Sequence, residues 1–277
     1  MMEVFIMEKL IIVRGGGDIA TGTIYTLRRC GFPVLVLETK CPTAIRRHVS
    51  FSEAVYDGAS LVEDMTCILA DSYERAVEII TAGHVAMMVD EECRILDKAR
   101  PWALVDAILA KKNLGTNRDM APKTIALGPG FTAGSDADLV IETMRGHDLG
   151  RIIENGAALP NTGAPGDVLG ITGDRVIHAA HDGVLLNTVQ IGEIVEKGQT
   201  LAVIRNDEGE FPVTATIPGV LRGLIRSGFD VKKGLKIADI DPRLSERENC
   251  FTISDKARCI AGSVLAGLLY LERRDGK

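Results

Sequence analysis

The 277-residue sequence has six cysteines but no C-x-x-C pair, only 4% aromatic residues, and no surplus of positive charge. The cysteine pattern and the charge each exclude a class of protein. Cys30, Cys41, Cys67, Cys93, Cys250 and Cys259 are scattered, which argues against a structural zinc site and against a disulfide framework. A formal charge of −6 gives no general attraction to nucleic acid or to an anionic membrane, so neither is an expected partner. The apolar run Cys259–Leu271 is interrupted by small residues and falls short of the roughly 20 residues that a membrane span requires. The N-terminal stretch Met1–Lys9 has no basic segment and no long apolar core, so it does not read as a signal peptide, and Met7 offers an alternative start. The expected location is the cytoplasm.

What is present is 46% hydrophobic residues over a length suited to two domains. Lys9–Arg14 is an apolar run that stops at Gly15-Gly16-Gly17-Asp18. Ile19–Cys30 then carries apolar residues at helical spacing, Gly31 closes it, and Val34–Leu37 is a second buried strand ending in Glu38. Further along, a helix is predicted at Ser72–Ala82 and strands at Val85–Val89, Ala103–Leu109, Lys123–Leu127 and Asp138–Thr143. This alternation predicts a Rossmann-like α/β domain with a mostly parallel sheet over residues 1–154.

The glycine loop matches G-x-G-x-x-A, with a strand before it, a helix after it and Glu38 about 20 residues on. Such a loop lets the backbone approach an anion at a helix N-terminus, and Glu38 would hold a ribose hydroxyl. Asp18 is unusual there, because a carboxylate repels a pyrophosphate unless it caps the helix. A second loop, Gly128-Pro129-Gly130 through Ser135, follows a parallel strand and would face the same cleft, with Ser135 and Thr132 as polar contacts. Cys41-Pro42-Thr43-Ala44-Ile45-Arg46-Arg47 would put a thiol and two guanidinium groups near that edge. Arg46 and Arg47 suit a phosphate, and Cys41 suits a nucleophile or a soft-atom ligand. No metal site is expected: His178 and His181 are three apart, and on a strand they would point to opposite faces.

Ala179–Ile204 matches Ala215–Ile240 at 10 of 26 positions under a 36-residue shift, where chance gives about one or two. Each copy reads as two short strands punctuated by Gly turns. The expected organisation is a linker or edge loops over 155–173, an all-β domain over 174–242, and a terminal segment over 243–277. In that last segment Ser254-Asp255 caps a helix that packs on the body or on a second copy.

The repeat resembles a biotinyl/lipoyl-type barrel-sandwich domain. In such carriers the hairpin between the copies bears the modified lysine. Here that hairpin is Arg205-Asn206-Asp207-Glu208-Gly209, so no covalent biotin or lipoate is expected. The whole chain resembles the YqeB family of maturation proteins for selenium-dependent molybdenum hydroxylases. Arg14–Gly22, Cys41–Arg47 with Phe51–Val55, Gly128–Phe131 and Leu159–Gly163 carry that resemblance. It implies an accessory protein that handles a molybdopterin-type cofactor for a molybdenum hydroxylase client, alongside other maturation proteins, with Cys41 holding or transferring sulfur or selenium. Two other readings stand beside it, an NAD(P)-dependent oxidoreductase using Gly15, Gly17 and Glu38, and a non-catalytic interaction scaffold. Catalytic turnover and oligomeric state are left open by the residues.

Overall fold

The structure, a computed structural model, describes residues 7–163 and 168–276. The start of the N-terminal stretch read against a signal peptide, and the centre of the expected linker at 164–167, lie outside the described residues. The chain forms two compact units. One comprises the described residues through Pro42, Ser50–Thr162 and those from Ile253 on; the other comprises Thr43–Val49 and the described part of Gly163–Thr252.

The first unit begins with β1 (Ile11–Arg14), α1 (Asp18–Arg29) and β2 (Val34–Glu38). There follow a short helix α2 (Ala54–Asp57), the hairpin of β3 (Ala59–Val62) and β4 (Met65–Leu69), then α3 (Tyr73–Thr81) and β5 (Val85–Val89). Next come α4 (Leu96–Ala99), β6 (Ala103–Asp106), β7 (Thr124–Leu127), β8 (Thr132–Ala133), β9 (Leu139–Ile141), β10 (Ile152–Ile153) and β11 (Gly156–Ala157). Nine strands make one sheet in the order β10-β9-β7-β6-β1-β2-β5-β4-β3. Its inner strands are parallel and buried, while β3 and β10 run antiparallel at the two edges. One face is sealed by α3, whose Ala76, Ile79 and Ile80 pack on Ile12, Leu35, Ala86 and Leu104.

This corrects the Rossmann-like expectation. The sheet is mixed, and the β6-to-β7 and β7-to-β9 connections contain no α-helix, only the 3-10 turn Arg118–Met120 and the strand β8. A doubly wound fold covers that half of the sheet with its own crossover helices. Here the cover comes from the chain's last helix, α5 (Asp255–Asp275), where a Cβ on Gly267 would touch both Ile125 and Leu139 at 3.1 Å. The strand expected over Ala103–Leu109 stops at Asp106 because its carboxylate accepts from the Ile108 amide at 3.1 Å and Leu109 turns to φ +60°.

The second unit contains β12 (Val176–His178), β13 (Gly183–Asn187), β14 (Ile194–Val195), β15 (Thr200–Asn206), β16 (Gly209–Thr214), β17 (Gly219–Leu224), β18 (Phe229–Val231) and β19 (Lys236–Asp241). The barrel expectation is corrected as well. These strands form two separate four-stranded antiparallel sheets, β16-β15-β13-β18 and β12-β19-β17-β14. The 36-residue repeat explains the arrangement: the long strands of each copy pair with each other, and the copies exchange short strands, β18 joining β13 and β14 joining β17. Gly183 and Gly219 hold equivalent positions at φ +145° and +157°. A Cβ on either would meet a carbonyl oxygen of the neighbouring strand, Arg205 O at 2.5 Å or Asp241 O at 2.3 Å. Apolar residues of both sheets share one core. No α-helix among the described residues is long and apolar enough to cross a membrane.

Candidate binding site

In the nine-stranded sheet the chain runs outward from β1 in one direction through β2 and in the other through β6. The crevice beyond the carboxyl ends of β1 and β6 is the switch point, where open α/β sheets place their ligands. The Gly15–Gly17 loop lies there, and its three glycines differ in what demands them. Gly15 has φ +95°, and a Cβ on it would lie 3.1 Å from the Ala107 carbonyl and the Ile108 backbone. Gly16 is crowded: a Cβ would sit 2.7 Å from Met87 Cε and 3.0 Å from the Ser52 amide nitrogen. Gly17 has φ −66° and ψ −179°, angles open to any residue, and among the described residues nothing lies within 4 Å of where its Cβ would be.

The loop is held by its own neighbours. The Ser52 amide donates to Gly16 O at 2.9 Å, and the Thr21 hydroxyl donates to the same carbonyl at 3.2 Å while accepting from the Phe51 amide at 3.0 Å. Glu38 accepts from the Gly16 and Thr39 amides, each at 2.7 Å. Burial pushes its carboxyl above the usual range, although both amides pull the other way and Glu91 adds to the rise. Gly17 is the N-cap of α1 and supplies no side-chain cap, and Asp18 Oδ1 accepts from the Ile19 amide at 2.8 Å. Gly15, Gly16, Gly17, Asp18 and Glu38 lie together at this end of the sheet, with Glu38, expected to hold a ribose hydroxyl, bracing the loop instead.

The wall on the β6 side was not foreseen. Arg14 and Asp106 are register partners at the ends of β1 and β6, and both are buried. The Arg14 guanidinium lies 3.4 Å from the Asp106 carboxylate, donates to the Thr116 hydroxyl, and reaches the Glu91 and Leu114 carbonyls at 3.2 and 3.3 Å. Thr116 in turn donates to Asp106 at 2.5 Å. Burial raises the Asp106 carboxyl above its ordinary range despite Thr116, the Ile108 amide and Arg14. The signal for this cluster in the sequence is a charged residue closing each of two apolar strands.

Gly128 and Gly130 border the same 107–116 loop. A Cβ on Gly130 would meet the Lys112 backbone at 2.6 Å, and one on Gly128 would meet Thr143 Oγ1 at 2.6 Å and Leu109 at 3.3 Å. Both glycines are thus required by close packing of loops. Ser135 is exposed within the turn after β8, its amide donating to Thr132 O at 3.2 Å. Cys41 is exposed just past β2, with its amide 3.4 Å from Thr39 Oγ1.

Arg46 and Arg47 lie in the second unit. Arg46 Nη2 donates to the Asn249 and Thr252 carbonyls at 2.9 and 3.2 Å, and Arg47 Nε to the Leu224 carbonyl at 2.8 Å. There they lace the 43–49 segment onto β17, where Leu224 N donates to Ile45 O at 2.9 Å. His181 stacks on Phe211 with ring centroids 3.8 Å apart, while His178 ends β12 in solvent.

Fold and site define a mixed α/β protein whose glycine loop leads into the N-terminus of α1 at the switch point of its sheet. By sequence the chain is similar to the uncharacterized protein YqeB of Escherichia coli (strain K12), with 48% identity over 264 residues. That match covers 95% of this chain and 48% of the relative, so the chain spans about half the relative's length. No protein-family model matches. Among solved structures, an aspartoacylase family protein from Mesorhizobium loti is 12% identical, with 85% of each chain covered and a TM-score of 0.31. A succinylglutamate desuccinylase/aspartoacylase from Rhodobacter sphaeroides is 15% identical, with 84% of this chain and 85% of that one covered and a TM-score of 0.29.

Proposed function

We propose that this chain is an accessory protein that holds a phosphate-bearing ligand at the Gly17 end of α1, in the maturation of a molybdenum hydroxylase. The observation that carries the binding role is Gly17 itself. Neither its backbone angles nor its surroundings call for glycine, unlike Gly15 and Gly16 beside it. A residue without a side chain at the N-cap leaves space beside the first turn of the helix, where an anion would approach. The ligand class, a molybdopterin-type cofactor, and the hydroxylase client rest on the family resemblance of the four motifs. In this reading a phosphate of the cofactor meets the α1 amides, and Cys41, exposed at the end of the neighbouring β2, is the residue that handles sulfur or selenium.

The oxidoreductase reading fits the loop less well. Glu38 accepts from the Gly16 and Thr39 amides and braces the loop, a structural task that accounts for this carboxylate without a ribose hydroxyl. Calorimetric titration of the full chain with a molybdopterin nucleotide, pyrophosphate, NADH and NADPH tests the proposal. Binding of the pterin nucleotide and of pyrophosphate is expected, together with co-purification of a molybdenum hydroxylase from cells. Binding of NADH or NADPH alone overturns it.

A further inference from the structure

We propose a second ligand site at the far end of α1 from the Gly17 loop: a cavity of about 580 Å³ that takes a small monocarboxylate on the Arg28 guanidinium. The cavity opens where β1 and β2 begin, beside the last turns of α1 and α3. Its walls include Lys9, Arg28, Cys30, Phe32, Ile80 and Thr81. The 12 residues of α1, roughly 18 Å at the helical rise, separate it from Gly17.

Two polar groups in this wall lack partners. Among the described residues the Arg28 guanidinium makes no hydrogen bond and no ion pair, although its Nε is buried. The side chain reaches across to the turn after α3, where Nη2 lies 3.8 Å from the position of a Cβ on Gly83. On the last residue of α3, the Thr81 hydroxyl is buried and has no partner among the described residues either. Folded proteins leave few such groups open, and two on one cavity mark a missing acceptor. The dipole of α1 favours a cation in its last turn but supplies no acceptor for it. The Thr26, Arg28 and Leu27 carbonyls at that end already accept from the Cys30, Gly31 and Phe32 amides at 3.0, 3.0 and 3.1 Å.

The surroundings select the charge of the ligand. An arginine fork matches a carboxylate or a phosphate. The C-terminal ends of α1 and α3 carry partial negative charge and the Glu8 carboxylate lies on the wall, which together disfavour a dianion. Lys9 does not offset them, because its ammonium is 2.6 Å from Glu272 and 5.4 Å from the Trp102 ring centroid. One negative charge is therefore the match for Arg28. Phe32, Pro33 and Ile80 give the cavity an apolar side that suits a hydrocarbon tail. The ligand class is a monocarboxylate with a short apolar body, held on Arg28, with Thr81 as a second donor on the same wall.

The test titrates the full chain with hexanoate, with 1-hexanol and inorganic pyrophosphate as comparison probes. One readout is the fluorescence of Trp102, the only tryptophan, whose ring stacks on Phe32 with centroids 5.7 Å apart. The other is alkylation of Cys30, an exposed thiol on the cavity wall, followed by peptide mass spectrometry. Hexanoate is expected to change the fluorescence saturably and to slow Cys30 alkylation severalfold, leaving the exposed Cys41 and Cys259 unaffected. Hexanol and pyrophosphate are expected to do neither. Arg28→Gln is expected to weaken hexanoate binding roughly tenfold or more, and Arg28→Lys to recover only part of it for want of the planar fork. Thr81→Val is expected to weaken it severalfold with a thermal midpoint at or above the parent's, because an unpartnered hydroxyl has been removed. Absence of saturable hexanoate binding to the parent overturns the proposal, as does equal binding by the parent and Arg28→Gln. Hexanol that protects Cys30 as well as hexanoate does also overturns it, since the cavity would then be an apolar cleft indifferent to charge. Pyrophosphate binding is expected to be the same in Arg28→Gln as in the parent, so this site and the Gly17 loop stand or fall separately.

Discussion

Replacing Gly17 with alanine separates folding from binding at this loop, and Gly16→Ala is its control. At Gly17 the backbone is in a region that alanine adopts freely, and the added methyl group meets nothing within 4 Å. The substitution therefore acts through the unfolded chain, where reduced freedom stabilises the native state by about 0.4–1 kcal/mol. At Gly16 the methyl group would sit 2.7 Å from Met87 Cε and 3.0 Å from the Ser52 nitrogen. Met87 can shift, but the Ser52 amide is backbone and holds the hydrogen bond to Gly16 O, so overpacking costs about 1–3 kcal/mol. The two variants are thus separated by about 1.5–4 kcal/mol. At roughly 2–4 °C per kcal/mol that is about 3–16 °C in midpoint. Trp102 is the only tryptophan in the sequence and lies in the first unit, so its fluorescence reports this transition. The ordering reverses for ligand: the Gly17 methyl group occupies the space an anion needs at the α1 amides. Loss of one charged hydrogen bond at about 1.5–3 kcal/mol lowers pyrophosphate affinity about 10- to 150-fold. A Gly17→Ala variant that melts as low as Gly16→Ala, or that binds pyrophosphate like the parent, refutes the reasoning.

Two further outcomes follow from the buried charges of the first unit. Asp106→Ala leaves the Arg14 guanidinium buried without its carboxylate and is expected to cost about 3–5 kcal/mol in urea unfolding, whereas Arg14→Met combined with Asp106→Leu regains most of that loss; a single-variant cost below about 1 kcal/mol contradicts the burial argument. Glu38 has a folded value raised above the ordinary carboxylate range, so its contribution to stability is fully present below that ordinary value and declines as pH rises through the raised one. Measured as a difference curve of urea midpoints against pH, the decline is expected in the parent and absent in Glu38→Gln, and parallel curves for the two proteins would rule it out.

Local pattern was enough for the elements nearest the site. Apolar strands closed by Gly15-Gly16-Gly17 and by Glu38, with a helical period between them, gave β1, α1 and β2 where the chain has them. Ser254 caps α5 as its position predicted, and the helix expected over Ser72–Ala82 is α3, with Ser72 as its N-cap. The β3–β4 hairpin went unread because Ala59–Val62 is largely exposed and short, with no strong alternation to mark it. Arg46 and Arg47 were legible as guanidinium groups but not as ligands of the Asn249, Thr252 and Leu224 carbonyls, more than 170 residues away along the chain.

The sequence alone determined the glycine loop, the strand–helix–strand unit around it, the repeat with its lysine-free hairpin, and the YqeB resemblance, because each depends on residues within a few turns or on an ordered set of motifs. Tertiary structure decided how strands are ordered and which helix covers them, so a mixed sheet capped by the chain's end replaced the Rossmann expectation, and two sheets with exchanged strands replaced the barrel. It also decided which glycines the packing requires. Gly15 and Gly16 are hemmed in by Ala107, Ile108, Ser52 and Met87, while Gly17 stands clear. That difference arises from contacts between distant segments and leaves no trace in the local pattern Gly-Gly-Gly.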